Sequence, residues 1–287
     1  MWNLNRALLK ANRGTITGII DVGFSAHADL SFATLGNART DFHGTVIAGI
    51  IAAKYRNDIG IEGINPFSDS EYSSGGLVAY SLPLLVDAGS GLQAMESLGN
   101  LLVSGLHGFR IARPGIQVIN ISAGYNWVEN GVNPSTAAAR ALATRQGGAV
   151  ARTLDRSSLI VVSAGNDNGL PAKFGSPFTN AALHHGVPNI LVVESGFWDG
   201  LNLAPFSQSN VGGHIMAPGL AIFSTTPGQP PYWDATGTIS HTGTSFAAAY
   251  VSGLAGFMLA VDPSLTPAEI RLILWNNGTN TGPGRAR

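Results

Sequence analysis

Five short runs dense in Val, Ile and Leu, at 15–20, 77–82, 116–121, 159–163 and 189–194, alternate with helical patterns at 41–54, 92–106 and 134–145. A strand that is apolar along its whole length, not merely at every second residue, must be covered on both faces. Such strands separated by helices specify parallel pairing through helical crossovers. The expected fold is therefore α/β and three-layered, with a mostly parallel central sheet and helices on both faces. Two more helices are expected at 243–261 and 267–275, the second led by Ser264-Leu265-Thr266 ahead of Pro267, a residue suited to a first helical turn. No repeat, linker or composition shift interrupts the pattern, so 1–287 is read as one domain.

Composition removes several functional classes. Hydrophobic residues make up 45% of the chain and charged residues 11%, against a usual charged share of about 25%. Disorder goes with the opposite balance. The net charge of −1, with no basic stripe, argues against a nucleic-acid partner. With no cysteine, disulfides, thiolate chemistry and cysteine zinc sites are excluded. No uninterrupted apolar run reaches the ~20 residues of a membrane span, so no membrane association is expected, and Met1-Trp2-Asn3-Leu4-Asn5-Arg6 lacks the apolar core of a signal peptide.

Four blocks carry reactive chemistry. Asp21 ends an apolar run in Ile19-Ile20-Asp21-Val22-Gly23. His43 opens a helical stretch in His43-Gly44-Thr45-Val46-Ile47-Ala48-Gly49. Asn166 follows a strand in Val162-Ser163-Ala164-Gly165-Asn166, and Ser245 sits in Gly243-Thr244-Ser245-Phe246-Ala247-Ala248. A serine hydroxyl becomes a nucleophile when a base takes its proton, and imidazole, with an ordinary pKa of about 6.5, suits that task. A carboxylate on the far ring nitrogen fixes the tautomer. A serine at a helix start faces backbone N–H groups and the positive end of the helix dipole, which would stabilise an oxyanion, and an asparagine amide adds another donor. Each block alone has an ordinary reading as a cap or turn. The ordered set of Asp, His, Asn and Ser does not.

On these residues the chain resembles the subtilisin-like serine proteases, the subtilase family, over nearly its whole length; their Asp-His-Ser order and oxyanion asparagine are known properties of that family. The resemblance implies Asp21 as orienting acid, His43 as general base, Ser245 as nucleophile and Asn166 as oxyanion donor. It implies that Asn120-Ile121-Ser122-Ala123-Gly124 supplies one substrate-pairing strand, through Ser122, Ala123 and Gly124. Gly89, Ser90 and Gly91, in Asp87-Ala88-Gly89-Ser90-Gly91, would supply the opposite strand, with a protein or peptide substrate extended between them. Ala164 and Gly165 would line the pocket for the side chain preceding the cut, for which an apolar-leaning preference is expected. Met216-Ala217-Pro218-Gly219 and Phe206-Ser207-Gln208-Ser209 also resemble family segments, with structural roles.

The same resemblance implies a calcium site from Asp29 and Asn57 side chains with backbone oxygens of Tyr55, Ile59 and Ile61, an oxygen set of the kind calcium prefers. It further implies a monomeric, secreted enzyme and a prodomain, cleaved or separate. Some features depart from the family pattern. Val22 stands where a hydroxyl residue usually follows the acid, Ala249 and Tyr250 follow the serine block where Pro and often His are usual, and the acid and base are 22 residues apart, a short interval. These departures motivate the alternative of a catalytically weak binding module on the same fold. Gly89-Ser90-Gly91-Leu92-Gln93-Ala94 fits a dinucleotide fingerprint by chance, since it does not follow the first strand and no acidic residue stands ~20 positions on.

Overall fold

The computed structural model describes residues 15–36, 39–65, 76–83, 89, 91–167, 170–197, 210–227 and 241–278. Seven parallel strands form one sheet: β1 (Ile16–Asp21), β2 (Ala33–Gly36), β3 (Gly76–Ser81), β4 (Val118–Ile121), β5 (Leu159–Ser163), β6 (Ile190–Gly196) and β7 (Ile215–Pro218). Their order in space is β2-β3-β1-β4-β5-β6-β7. After β1 the chain places β2 at the edge and β3 between it and β1, then crosses to lay β4 on the other side of β1. A crevice opens at that reversal beyond the carboxyl ends of the strands.

Among the described residues six α-helices cover the sheet: α1 (Phe42–Ala52), α2 (Leu92–Ala112), α3 (Ala137–Thr153), α4 (Pro177–Leu183), α5 (Thr244–Val261) and α6 (Pro267–Asn277). Side chains alternate across each strand, so neighbouring residues feed different cores. Ile20, Ile119 and Val162 pack with Leu102 and Phe109 of α2, Val150 of α3 and Phe178 of α4. On the other face Ile19 joins α1, while Val118 and Val161 join Ala247 and Val251 of α5 and Ile270 of α6. Both faces are therefore dry, as the unbroken apolar runs require.

Helix α5 is long and apolar enough to cross a membrane, but 72% of its most apolar window is buried inside the fold. It is a core helix. Ser252 on α5 accepts a hydrogen bond from Asn120 Nδ2 of β4 at 3.0 Å and donates to the Ala248 carbonyl at 2.8 Å. That ties the helix to the strand beside which its N-terminus must be placed. Helix α6 begins as expected, with Thr266 and Glu269 forming a reciprocal cap and Pro267 in the first turn.

Three elements were not expected from the sequence. Strand β2 has a largely exposed, weakly apolar sequence, and β7 is four residues long and ends in proline; both are edge strands. Helix α4 is seven residues capped by Ser176 and Thr179. The segment Met216–Pro218 thus forms most of β7, whereas 206–209 lie outside the described residues.

Candidate active site

Asp21 is the last residue of β1, with its side chain 1% exposed, and its Oδ1 lies 2.8 Å from Nδ1 of His43. The Val22 N–H donates to the same Oδ1 at 2.7 Å, while Oδ2 is buried with no hydrogen-bond partner. His43 is held at the start of α1 because Asp41 caps that helix, accepting from the His43 N–H at 2.9 Å. Burial would push the His43 pKa down, but the charge and hydrogen bond of Asp21, with Asp41 behind, outweigh it and raise the pKa above 6.5. The Asp21 contact occupies Nδ1, so Nε2 remains as the nitrogen for proton exchange with a substrate or nucleophile.

Ser245 stands in the first turn of α5, whose N-cap is Gly243, a residue with no side chain to satisfy the first N–H groups. The Ser245 hydroxyl donates to the Ser122 carbonyl at 3.3 Å, and the Ser122 hydroxyl donates to the Ser245 carbonyl at 3.0 Å. His43 and Ser245 line the same cleft.

Asn166 lies in the loop after β5. Its Oδ1 accepts from the Thr244 N–H at 3.1 Å and the Thr244 hydroxyl at 3.0 Å. A backbone N–H can only donate, so the amide oxygen must face Thr244 and the amide nitrogen faces away. Gly165, with φ of 102°, makes the bend before Asn166, and a Cβ there would meet Asn210 Nδ2 at 2.4 Å. The Gly165 N–H in turn donates to the Thr244 hydroxyl at 3.2 Å. Thr244 therefore fixes both neighbours, a role the sequence did not reveal, although its place directly before Ser245 could have suggested it.

The cleft also contains Ser122, Ala123, Gly124 and Gly165. Ala164 is fully buried one residue behind it. Gly89 (φ 73°) and Gly91 (φ 61°) precede α2 and are not part of this lining among the described residues. Ser90 and Asp87-Ala88 lie outside the described residues. Phe42, 54% exposed, borders the cleft and stacks on His241 at 5.9 Å. His43 packs against Phe246 at 5.6 Å, so the imidazole is held by aromatic surface as well as by the Asp21 carboxylate. Asp167 and Glu129 line the cleft too, and neither had been singled out in the sequence.

At the expected metal position, Asp29 is fully buried and Asn57 Nδ2 donates to its Oδ1 at 2.8 Å. The Ile61 N–H donates to Oδ2 at 3.2 Å, and the Ile59 N–H to Asn57 Oδ1 at 3.1 Å. The two side chains thus meet through a hydrogen bond. The Ile59 N–H can only donate, so the Asn57 amide turns its oxygen to Ile59 and its nitrogen to Asp29, and the Asp29 carboxylate is the side-chain oxygen donor here of the kind that suits calcium. Among the described residues no cluster of three or more His, Cys, Asp or Glu side chains is placed to hold a metal.

A parallel sheet whose crevice gathers an acid, an imidazole, a serine and a carboxamide defines an α/β fold of hydrolase type. The family model for the subtilase family, peptidase S8, matches residues 12–286, and the chain belongs to that family. It is 31% identical to alkaline elastase YaB of Bacillus sp. (strain YaB), over 98% of this chain and 65% of that protein. It is 29% identical to subtilisin Savinase of Lederbergia lenta, over 98% of this chain and 92% of that protein. The chain thus spans just under two thirds of some curated relatives and most of others. Among solved structures, the A-subunit of the AB5 toxin from E. coli matches with a TM-score of 0.64 at 20% identity, covering 98% of this chain and 90% of that one. MycP1 with its N-terminal propeptide removed matches at 0.60 and 24% identity, covering 99% and 91%. These last two likenesses concern the fold.

Proposed function

We propose that the chain is a serine endopeptidase acting through Asp21, His43 and Ser245. The observation that carries the reading is the 2.8 Å hydrogen bond that buried Asp21 accepts from His43, at a cleft that also holds Ser245 and Asn166. In the reaction, Ser245 Oγ turns from the Ser122 carbonyl toward Nε2 of His43, which takes its proton as Oγ bonds to the substrate carbonyl carbon. The carbonyl oxygen becomes an oxyanion facing Asn166 Nδ2 and the N–H groups opening α5. As the tetrahedral species collapses, the carbon–nitrogen bond breaks and the imidazolium protonates the departing amine. Water, deprotonated by His43, then attacks the acyl-serine ester and releases the acid.

The substrate is an extended protein segment held along Ser122, Ala123 and Gly124, with Gly89, Ser90 and Gly91 as its second partner strand. Calcium at Asp29 and Asn57, with backbone oxygens of Tyr55, Ile59 and Ile61, is part of this reading; its role there is to tie two loops together. So are a prodomain, a monomeric state and action outside the cell; for the last, a relative from Xanthomonas campestris pv. campestris is an extracellular protease.

The rival reading, a binding module with little catalysis, draws on the Ser245 hydroxyl being turned to Ser122 and on the unpartnered Asp21 Oδ2. One experiment separates the two. A fluorophosphonate probe labels an activated serine: the peptidase reading requires labelling of wild type, none of Ser245→Ala, and casein cleavage only by wild type. Absence of both labelling and cleavage in the folded wild-type chain would favour the binding module.

A further inference from the structure

Asp21 holds His43 through one atom of its ring, and a single hydrogen bond leaves an imidazole free to tilt about it. A general base tolerates little tilt, because its other nitrogen must come within hydrogen-bond reach of the nucleophile. Four aromatic rings close a circuit that restrains it. Phe42 meets His43 edge-on with 6.4 Å between centroids, and His43 packs on Phe246 at 5.6 Å. Phe246 in turn packs on His241 at 5.4 Å, and His241 stacks on Phe42 at 5.9 Å with 23° between the planes. Tilted and edge-to-face contacts in this range are favourable. Both imidazoles thus lie against the same two phenyl rings.

His241 is itself fixed. It exchanges two backbone hydrogen bonds with Ile222, each 2.9 Å, and its Nε2 lies 3.3 Å from Thr226 Oγ1. Between those contacts, Ser224 Oγ and Thr225 Oγ1 donate to the carbonyls of Val46 and Thr45 in α1, at 2.8 and 2.7 Å. The approach is close because α1 carries a glycine there: a Cβ on Gly49 would meet Thr225 Oγ1 at 2.2 Å and Ser224 Oγ at 2.5 Å. The segment 222–226 therefore links the helix that carries His43 to the second histidine, and His241 stands in the stretch of chain that leads into Ser245. Burial first, and the charge of His43 second, hold the His241 pKa below 6.5. Against burial, Asp21 and Asp41 hold that of His43 above 6.5. Of the two rings, His43 takes the proton and His241 stays a neutral packing surface.

We propose that His241 is a positioning residue: held between Phe42 and Phe246, it sets the tilt of the His43 ring and so the approach of Nε2 to Ser245. His241 is not among the described residues that line the cleft, so it acts through the two phenylalanines and not on the substrate. The inference rests on the peptidase reading and deepens it.

The test measures kcat and KM on one fluorogenic peptide for wild type, His241→Ala and His241→Phe, with active sites counted by exhaustive fluorophosphonate labelling. Counting sites removes any unfolded fraction, so a merely structural role would leave kcat per site unchanged. His241→Ala is expected to lower kcat per site about tenfold with KM within about twofold of wild type, the scale of a slightly misplaced catalytic group. His241→Phe keeps a flat neutral ring between the two phenylalanines and loses the Thr226 contact. It is expected to bring kcat back to within about threefold of wild type. Three results would overturn the assignment while leaving the peptidase reading intact: an unchanged kcat per site in His241→Ala, no recovery in His241→Phe, or a raised KM with kcat intact, the mark of a substrate contact. A folded wild-type chain that neither cleaves nor labels would overturn both.

Discussion

Ser122 and Ser245 hydrogen-bond each other reciprocally: each hydroxyl donates to the other's backbone carbonyl, at 3.0 and 3.3 Å. The pair pins the start of α5 to the end of β4. Ser245→Ala removes one of these bonds together with the nucleophile of the proposed reaction. Turnover is expected to fall by the order of 10⁶-fold, a magnitude carried over from the equivalent change in subtilisin. The melting temperature should move by only a few degrees, because a single net hydrogen bond contributes about 1 kcal/mol. Residual casein cleavage near the wild-type rate would contradict the assignment of the nucleophile.

In the proposed reaction the pH profile of kcat/KM follows His43 as the free enzyme's general base. His43 must be neutral to accept the serine proton, and Asp21 and Asp41 raise its pKa above 6.5 against the opposing effect of burial. Activity should therefore rise with pH along a limb whose midpoint lies above 6.5, and fall away below it. Asp21→Asn should shift that midpoint down and cut kcat by several orders of magnitude, since tautomer and orientation are lost together. A limb unmoved by Asp21→Asn would indicate that another group titrates.

Asp21 Oδ2 is buried without a partner, and Val22 follows Asp21 where the family usually has a hydroxyl residue. Val22→Thr supplies a donor beside that oxygen. It is expected to raise stability by about 1 kcal/mol or kcat by a few-fold, as appropriate to one recovered hydrogen bond. Thermal melting and single-turnover kinetics on the two proteins distinguish these from no effect.

Calcium removal tests the Asp29 and Asn57 site. If the ion binds there, saturating calcium at about 100 times its dissociation constant should stabilise the chain by about 2.7 kcal/mol. A chelator should lower the melting temperature of wild type. Asn57→Ala should melt at the same temperature with and without the chelator. Equal responses of both proteins would place any bound calcium elsewhere.

His214 is buried between β6 and α6. Its Nδ1 accepts the Val192 N–H at 3.0 Å and its Nε2 lies 3.0 Å from Arg271. Burial first, and the Arg271 charge second, depress its pKa to about 3. The unfolded chain protonates this histidine near 6.5 while the native chain resists, so its neutral state supports the fold fully above 6.5. Support declines as pH falls from 6.5 toward 3, at about 1.4 kcal/mol per pH unit at most. His214→Gln should melt lower at pH 7 and show a shallower loss between pH 6.5 and 4. An identical acid slope in both proteins would show that other groups govern acid unfolding.

The five central strands were legible because burial on both faces leaves an unmistakable apolar run; Leu159–Ser163 coincides with its expectation to the residue. Strands β2 and β7 were not, because an edge strand of four residues needs no such run. Residues Asp21, His43, Asn166 and Ser245 announced themselves through local blocks, each tied to a strand end or helix start. Thr244 did not. Its importance comes from the amide oxygen that the fold sets beside it, and adjacency across the chain leaves no periodic trace in sequence.

The acid comes from the first strand described and the nucleophile from the penultimate helix, with the reversal in strand order lying between them. Hardly any fragment short of the whole sheet could bring the two together. A chain still emerging from synthesis, or one partly unravelled, would therefore be harmless to its neighbours: the capacity to cut is switched on by completion of the architecture itself.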